Sequence, residues 1–249
     1  NKIKSYHRIY RICPKMYTNM LKNVPKTCLD NIADPPKRKK CLSEDEIKNL
    51  LHGHVIIEEK IDGGVVGLAY DGNNHLAIGK HSMIPNTVNS KGFYGLNNWI
   101  YLNYEKIQNI PIGWIVYGEW MKASHNIFYN KLPDYFISFD VWNGHKYLDV
   151  TNRSIFLNEI EFEEIPIVYS GTHLGIKDIL CICEGKFDVS NKSRFSDTEI
   201  FEGLVIKNDN GLIGKYVRRE FINSIEENWL NKPLLENALH QYKYRGKQL

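Results

Sequence analysis

His54-Val55-Ile56-Ile57-Glu58-Glu59-Lys60, then Ile61-Asp62-Gly63-Gly64, then Val65-Val66-Gly67-Leu68-Ala69-Tyr70, is the stretch from which the fold can be read. Its two runs of β-branched residues predict strands at His54–Lys60 and Val65–Tyr70, broken by a glycine-rich turn. Working outward, Asp71-Gly72-Asn73-Asn74 has the composition of a hairpin turn leading into a third strand at His75–Lys80. Further strands are expected at Trp114–Trp120, Tyr135–Trp142, Leu204–Lys207 and Leu212–Arg218, and helices at Gly95–Ile107, Thr151–Phe162, His173–Cys181 and Phe221–Leu239. Upstream, Ser43-Glu44-Asp45-Glu46 reads as a capping box, with the Ser43 hydroxyl and the Glu46 carboxylate serving each other's backbone, opening a short helix to Leu51. Strands and helices do not alternate regularly, so the expected class is α+β, with mostly antiparallel sheet flanked by helices.

The whole composition fits a folded soluble chain. Its 249 residues are 43% hydrophobic and 24% charged, which excludes a wholly disordered chain, a collagen or a coiled coil. A net charge of +3 does not by itself imply a nucleic-acid partner; such a partner has to be argued from local features. No apolar run approaches the ~20 residues that span a bilayer, so no membrane partner is expected. Asn1–Tyr17 is interrupted by charge, which gives no sign of secretion. An intracellular setting, cytoplasm or nucleus, is therefore expected. Cys13, Cys28, Cys41, Cys181 and Cys183 are scattered and odd in number, so a disulfide framework is not expected, and His52-Gly53-His54 is the only other tight cluster of metal-ligating types. The run Lys37-Arg38-Lys39-Lys40 reads as a solvated loop.

Lys60 is the first residue with chemical promise, although a strand-end lysine is ordinarily a solvent-facing charge and K-x-D-G recurs by chance. A lysine amine is a nucleophile only when deprotonated, which near neutral pH means overcoming a reference pKa of about 10.4 through desolvation, neighbouring cations or a metal. Partners for such chemistry follow in order: Tyr117-Gly118-Glu119-Trp120, then Tyr135-Phe136-Ile137-Ser138-Phe139-Asp140-Val141-Trp142, then Glu202-Gly203-Leu204-Val205-Ile206-Lys207, then Gly214-Lys215-Tyr216-Val217-Arg218.

Taken jointly and in this order, these segments resemble motifs I, III, IIIa, IV and V of the covalent nucleotidyltransferases, which comprise DNA ligases, RNA ligases and mRNA capping guanylyltransferases. Two features make the chain similar to the ATP-dependent RNA ligases in particular. Gly118-Glu119-Trp120 is followed by His125, Tyr129, Leu132-Pro133 and Tyr135-Phe136 before Phe139-Asp140, and Lys215-Tyr216-Val217-Arg218 is followed by Glu220-Phe221. The resemblance covers about residues 54 to 221. It implies one adenylyltransferase domain over 1–249, with an N-terminal extension at 1–53, the motif-bearing core at 54–221 and a short basic helix or tail at 222–249. That last segment includes Lys243-Tyr244-Arg245-Gly246-Lys247 and leaves no room for a separate OB-fold domain.

The resemblance also implies roles, position by position. Lys60 matches the nucleophile that takes AMP from ATP, and Lys215 the lysine on the α-phosphate. Lys207 and Arg218 are nearby basic candidates for phosphate contact, and such a cluster would ease loss of the Lys60 proton. Glu202 matches the carboxylate associated with the catalytic Mg²⁺ or Mn²⁺, and Glu119 one that contacts the ribose or the metal shell. Glu58, on the same strand face as Lys60 by the period of two, matches a reader of the adenine amino group. Phe139 matches the aromatic that stacks on adenine; alternation places it with Ile137 and Val141 on one apolar face, with Phe136 as the fallback on the other. Asp62 and Gly63 join the nucleotide-contacting set. Lys80 stands where related RNA ligases often carry an arginine, keeping the charge without the planar fork. Motif V frequently reads K-x-K, whereas here Val217 and Arg218 follow Tyr216.

The implied activity is a monomeric, ATP-dependent RNA ligase of the kind used in RNA repair. It would join a 5′-phosphate to a 3′-hydroxyl through lysyl-AMP and an adenylylated RNA end. A DNA ligase and a GTP-using capping enzyme share the first step. A non-catalytic RNA-binding module on the same fold is the reading from another class, and it has little use for two metal-directed carboxylates beside Lys60 and Lys215.

Overall fold

The computed structural model describes residues 10–11, 41–79, 83–84, 90–186, 190–224, 231 and 233–240. The basic run at 37–40, Lys80 and the tail at 243–247 lie outside them. In chain order the elements are β1 (Tyr10–Arg11), α1 (Glu44–Leu50), β2 (His54–Lys60), β3 (Gly64–Tyr70), β4 (His75–Ile78), β5 (Met83–Ile84), α2 (Leu96–Leu102) and α3 (Tyr104–Gln108). They continue with β6 (Ile115–Trp120), β7 (Phe136–Trp142), α4 (Val150–Glu159), β8 (Ile167–Thr172), α5 (Ile176–Cys183), β9 (Gly203–Asn208), β10 (Ile213–Val217) and α6 (Arg219–Ser224). Each expected strand is present within a few residues of its expected ends, in two sheets whose pairs are antiparallel except for the short β1–β10 pair. The α+β class with mostly antiparallel sheet holds. Two compact units result.

The lysine unit holds the described residues up to Ile61 and those from Pro166 to 224. Its sheet runs β1-β10-β9-β2-β8. Alternation gives β2 an apolar face of Val55 and Ile57, matched by Leu204 and Ile206 of β9 and Tyr216 of β10. Ile47 and Leu50 of α1, with Ile176, Ile179, Leu180 and Cys183 of α5, close the core on that face. The capping box forms as expected: the Glu46 N–H donates to Ser43 Oγ at 3.2 Å, and the Ser43 N–H to Glu46 Oε2 at 2.6 Å. At the other end of α1, the Asn208 side-chain amide donates to the Asn49 and Leu50 carbonyls at 2.9 and 3.2 Å, tying the helix to the end of β9. The edge strand β8 is not among the sequence expectations. Cys41 is disulfide-bonded, a bridge that the scattered cysteines did not suggest.

The aromatic unit holds Asp62–Ile165 and, among the later described residues, 231 and 233–240. Its sheet runs β5-β4-β3-β6-β7. The turn from β3 to β4 is the expected one, with Asp71 Oδ1 accepting from the N–H groups of Asn73 and Asn74 at 2.9 and 2.7 Å and Gly72 at φ +101°. One sheet face packs Val66, Leu68, Val116, Trp120, Phe136 and Val141 against Leu96, Trp99 and Ile100 of α2 and Leu157 of α4. The other face buries Ala69, Ile115 and Tyr117, with Phe139 and Trp142 against them.

Two expected helices differ. Gly95–Ile107 divides at Asn103, whose side-chain amide donates to the Trp99 carbonyl at 2.9 Å and competes with the helical backbone. Phe221–Leu239 is α-helical only in α6 among the described residues. Pro233 cannot donate to a helix ladder, and the chain from 233 to 240 makes β-bridges, Glu236 with Ala123 and Leu239 with Leu132.

Candidate active site

In the lysine unit the polar side chains are sorted by strand register. The pairs Ile56 with Lys207, Glu58 with Val205, Lys60 with Gly203 and Lys215 with Val205 put Glu58, Lys60, Lys207 and Lys215 on the sheet face opposite the apolar core. The Lys60 ammonium lies 2.6 Å from Glu202 Oε2, and the two side chains are 21% and 8% exposed, so the pair is largely withdrawn from water. Glu202 directly precedes Gly203, where a Cβ would overlap the Tyr216 carbonyl oxygen; the strands close up at that point only because the residue is glycine. The Arg218 N–H donates to the Glu202 carbonyl at 3.0 Å, and its Nε to the Phe201 carbonyl at 2.7 Å. Arg218 thus braces the segment that carries Glu202. The Lys207 ammonium pairs with Glu58 Oε2 at 2.9 Å, both side chains being buried.

Basic groups or a metal were expected beside Lys60, and a carboxylate, Glu202, is paired with it here. Glu59, on the core side of the sheet, accepts from Ser193 Oγ at 2.5 Å and from the Arg194 N–H at 3.0 Å. Burial raises its carboxyl above the ordinary range despite those bonds.

The remaining candidates belong to the aromatic unit. The Asp62 N–H donates to the Tyr129 hydroxyl at 3.0 Å, and Asp62 Oδ2 accepts from the backbone and side-chain N–H groups of Asn126 at 2.9 and 3.2 Å. The Gly63 N–H donates to Glu119 Oε1 at 3.2 Å, and a Cβ on Gly63 would collide with Glu119 and Trp120. Glycine there allows the turn to pass against the carboxylate. Phe139 stands at a β-bulge: Tyr117 pairs with Asp140 and Gly118 with Ser138, which leaves Phe139 as the extra residue. Its carbonyl accepts from Arg153 Nη1 at 2.5 Å, while Arg153 Nε donates to Glu164 Oε1 at 2.6 Å. The bulge corrects the expected apolar face, because Val141 packs with Phe136 on one core while Phe139 packs on the opposite sheet face. Phe136, the fallback for base stacking, is fully buried against Trp99 and Phe162.

Glu58, Lys60, Glu202, Lys207, Lys215 and Arg218 thus fall in the lysine unit, and Asp62, Gly63, Glu119 and Phe139 in the aromatic unit. Arg153, with no exposed surface, was missed because its partners are set by a bulge and a loop that no local pattern announces. No group of three His, Cys, Asp or Glu side chains that could hold a metal occurs among the described residues. The donor chemistry still fits Mg²⁺ or Mn²⁺, since Mg²⁺ typically takes one or two carboxylates and fills its shell with water and substrate phosphate oxygens. Glu202 supplies such a carboxylate beside the amine.

Comparison with solved structures bears out the fold. A Naegleria gruberi RNA ligase variant with ATP and manganese superposes with TM-score 0.54 at 12% identity, over 78% of this chain and 58% of that one. The same enzyme with pyrophosphate gives 0.53 at 14% identity, over 84% and 70%. An Aquifex aeolicus protein bearing the designation of an ATP-dependent DNA ligase gives 0.52 at 17% identity, over 89% and 51%. The chain spans little more than half the length of the first and last of these. No curated protein matches it. The fold is therefore that of the ligase nucleotidyltransferases. The RNA ligase family model matches residues 53–220, more than half of the chain, and the protein belongs to that family. No helix among the described residues is long and apolar enough to cross a membrane.

Proposed function

We propose that the protein is an ATP-dependent RNA ligase that works through a covalent lysyl-AMP. The observation that carries this reading is the ion pair of Lys60 with Glu202 on the charged face of the lysine-unit sheet. On the sheet face away from the apolar core, the amine is held 2.6 Å from a carboxylate whose backbone is bonded by Arg218 and followed by the close-packed Gly203.

In the first step the Lys60 amine attacks the α-phosphorus of ATP, so that a P–N bond forms and the P–O bond to pyrophosphate breaks. In the second, an oxygen of an RNA 5′-phosphate attacks the same phosphorus, the P–N bond breaks and the RNA end carries AMP through a new pyrophosphate linkage. In the third, a 3′-hydroxyl attacks the RNA phosphorus, loses its proton, and AMP leaves. Glu202 would hold Mg²⁺ or Mn²⁺, whose charge would help to neutralise the phosphate oxygens, and Glu119 keeps its assignment to the ribose or the metal shell. Lys215 is assigned to the α-phosphate, Lys207 and Arg218 to nearby phosphate contact, and Lys80 to a phosphate clamp. Glu58 and Phe139 are assigned to adenine, and Asp62 and Gly63 to the nucleotide-contacting turn. RNA is held chiefly through its backbone, so binding weakens as salt rises. The same reading makes the chain a single adenylyltransferase, monomeric, intracellular and suited to RNA repair.

A panel of 5′-phosphorylated nicked, bridged and single-stranded RNA and DNA substrates, each with ATP or GTP and a divalent metal, tests the proposal. Sealing of an RNA end with ATP alone is expected. Sealing confined to DNA, nucleotide transfer only from GTP, or tight RNA binding without any transfer would replace it with the DNA ligase, the capping enzyme or the binding module respectively.

A further inference from the structure

In the aromatic unit the chain from 233 to 240 lies along the loop Met121–Leu132 and is bonded to it repeatedly. The Ser124 N–H donates to the Leu235 carbonyl at 2.8 Å, the Asn237 N–H to the Lys122 carbonyl at 3.0 Å, the Ala238 N–H to the Tyr129 carbonyl at 2.8 Å and the His240 N–H to the Leu132 carbonyl at 2.8 Å. Glu236 adds a carboxylate 3.9 Å from the Lys122 ammonium. Asn237 is the one side chain of this segment that is both buried, at 2% exposed, and polar. Its amide donates to the Met121 carbonyl at 2.6 Å and its oxygen accepts from the Tyr129 N–H at 2.9 Å, so one side chain spans both ends of the loop. A buried asparagine with both of its ends satisfied by backbone specifies one loop geometry, because any other would leave polar groups unpaired in a dry site.

That geometry reaches the turn after Lys60. Tyr129 is fully buried, and its hydroxyl receives the Asp62 N–H at 3.0 Å; three residues earlier in the same loop, the backbone N–H and side-chain amide of Asn126 hold the Asp62 carboxylate. We propose that residues 235–240 are a clamp that positions the Asp62-Gly63 turn, with Asn237 as its positioning residue and the Tyr129 hydroxyl as the contact through which it acts. The consequence for catalysis rests on the reading of Lys60 as the nucleophile, since the turn begins two residues beyond it. Asn237 touches no reacting atom. It acts by fixing the backbone of Asp62 and Gly63, which the same reading assigns to contact with the nucleotide, and small misplacements at such a group cost large factors in rate.

The test is a double-mutant cycle on the full chain with Asn237→Ala and Tyr129→Phe, the second removing only the hydroxyl. Two readouts are taken for each: hydrogen exchange of the peptide containing Asp62 and Gly63, and the single-turnover rate of AMP transfer to the protein across ATP concentrations. Each single variant should speed exchange of that peptide by about tenfold and slow transfer by about tenfold at saturating ATP, with less than about a twofold change in the ATP concentration giving half-maximal rate. The double variant should be no slower than the slower single, because both changes cut one path. If Asn237→Ala does not fold, Tyr129→Phe alone decides the matter by its exchange. Unchanged exchange at Asp62 in the folded variants, or effects that multiply in the double variant, overturns the clamp. Absence of AMP transfer in the unsubstituted protein strikes the nucleophile reading instead, and the exchange measurement still decides the clamp.

Discussion

In the sheet that carries Lys60, regular alternation along β2, β9 and β10 separates an apolar face from a charged one, and Glu58, Lys60, Lys207 and Lys215 need only the right parity. In the sheet that carries Phe139 both faces are apolar, and the ring is placed by breaking the alternation of β7 with one extra residue. The first arrangement is robust, because shifting it means slipping a whole strand by a residue and turning Val55 and Ile57 away from their core. The second depends on a few specific supports, chiefly the buried Arg153 that holds the carbonyl of the bulged residue. Charged groups placed by parity and a ring placed by a supported bulge should therefore fail differently when perturbed.

The largest expected effect breaks the bulge side of this contrast. Arg153→Met leaves Glu164 without its buried cation and frees the Phe139 carbonyl, and should lower unfolding free energy by about 3–5 kcal/mol in urea titration. A loss below about 1 kcal/mol would mean that the bulge stands without it. On the other side, Glu202→Ala should slow metal-dependent AMP transfer on the order of a hundredfold while leaving the thermal midpoint within a few degrees, as the proposed role of Glu202 toward the metal requires. Unchanged turnover at saturating Mg²⁺ would contradict that role. Gly203→Ala tests whether strand register is as tightly built as it looks: the added methyl overlaps the Tyr216 carbonyl, and a stability loss of about 1–3 kcal/mol is expected, with a parallel fall in activity. The smallest effect is Ser43→Ala, which removes the cap of α1 but no member of either arrangement, and should cost about 1 kcal/mol without altering the AMP transfer rate.

The same contrast decides what could be read from the sequence. The shared sheet face of Glu58 and Lys60 was legible because parity is a local property, and β2 begins and ends at the expected residues. The capping box at Ser43 and the Asp71 turn are likewise local, carried by side chains that bond their own neighbourhood. What escaped depends on contacts far apart in the chain. β8 gives no alternating signal because it is an edge strand with a largely exposed or half-exposed pattern. The bulge at Phe139 is visible only against β6, and its support from Arg153 arrives from a helix. The stretch from 233 to 240 looks helical by composition and is extended because the loop Met121–Leu132 supplies its hydrogen-bond partners.

The central claim is that Lys60 becomes bonded to phosphorus, and peptide mapping by mass spectrometry of the protein incubated with ATP and Mg²⁺ or Mn²⁺ tests it most directly. The account predicts one AMP, acid-labile as a P–N bond should be, on the peptide that contains Lys60, and none in Lys60→Ala of normal fold. An unmodified Lys60 peptide under those conditions, or an adduct retained at full yield in Lys60→Ala, would contradict it.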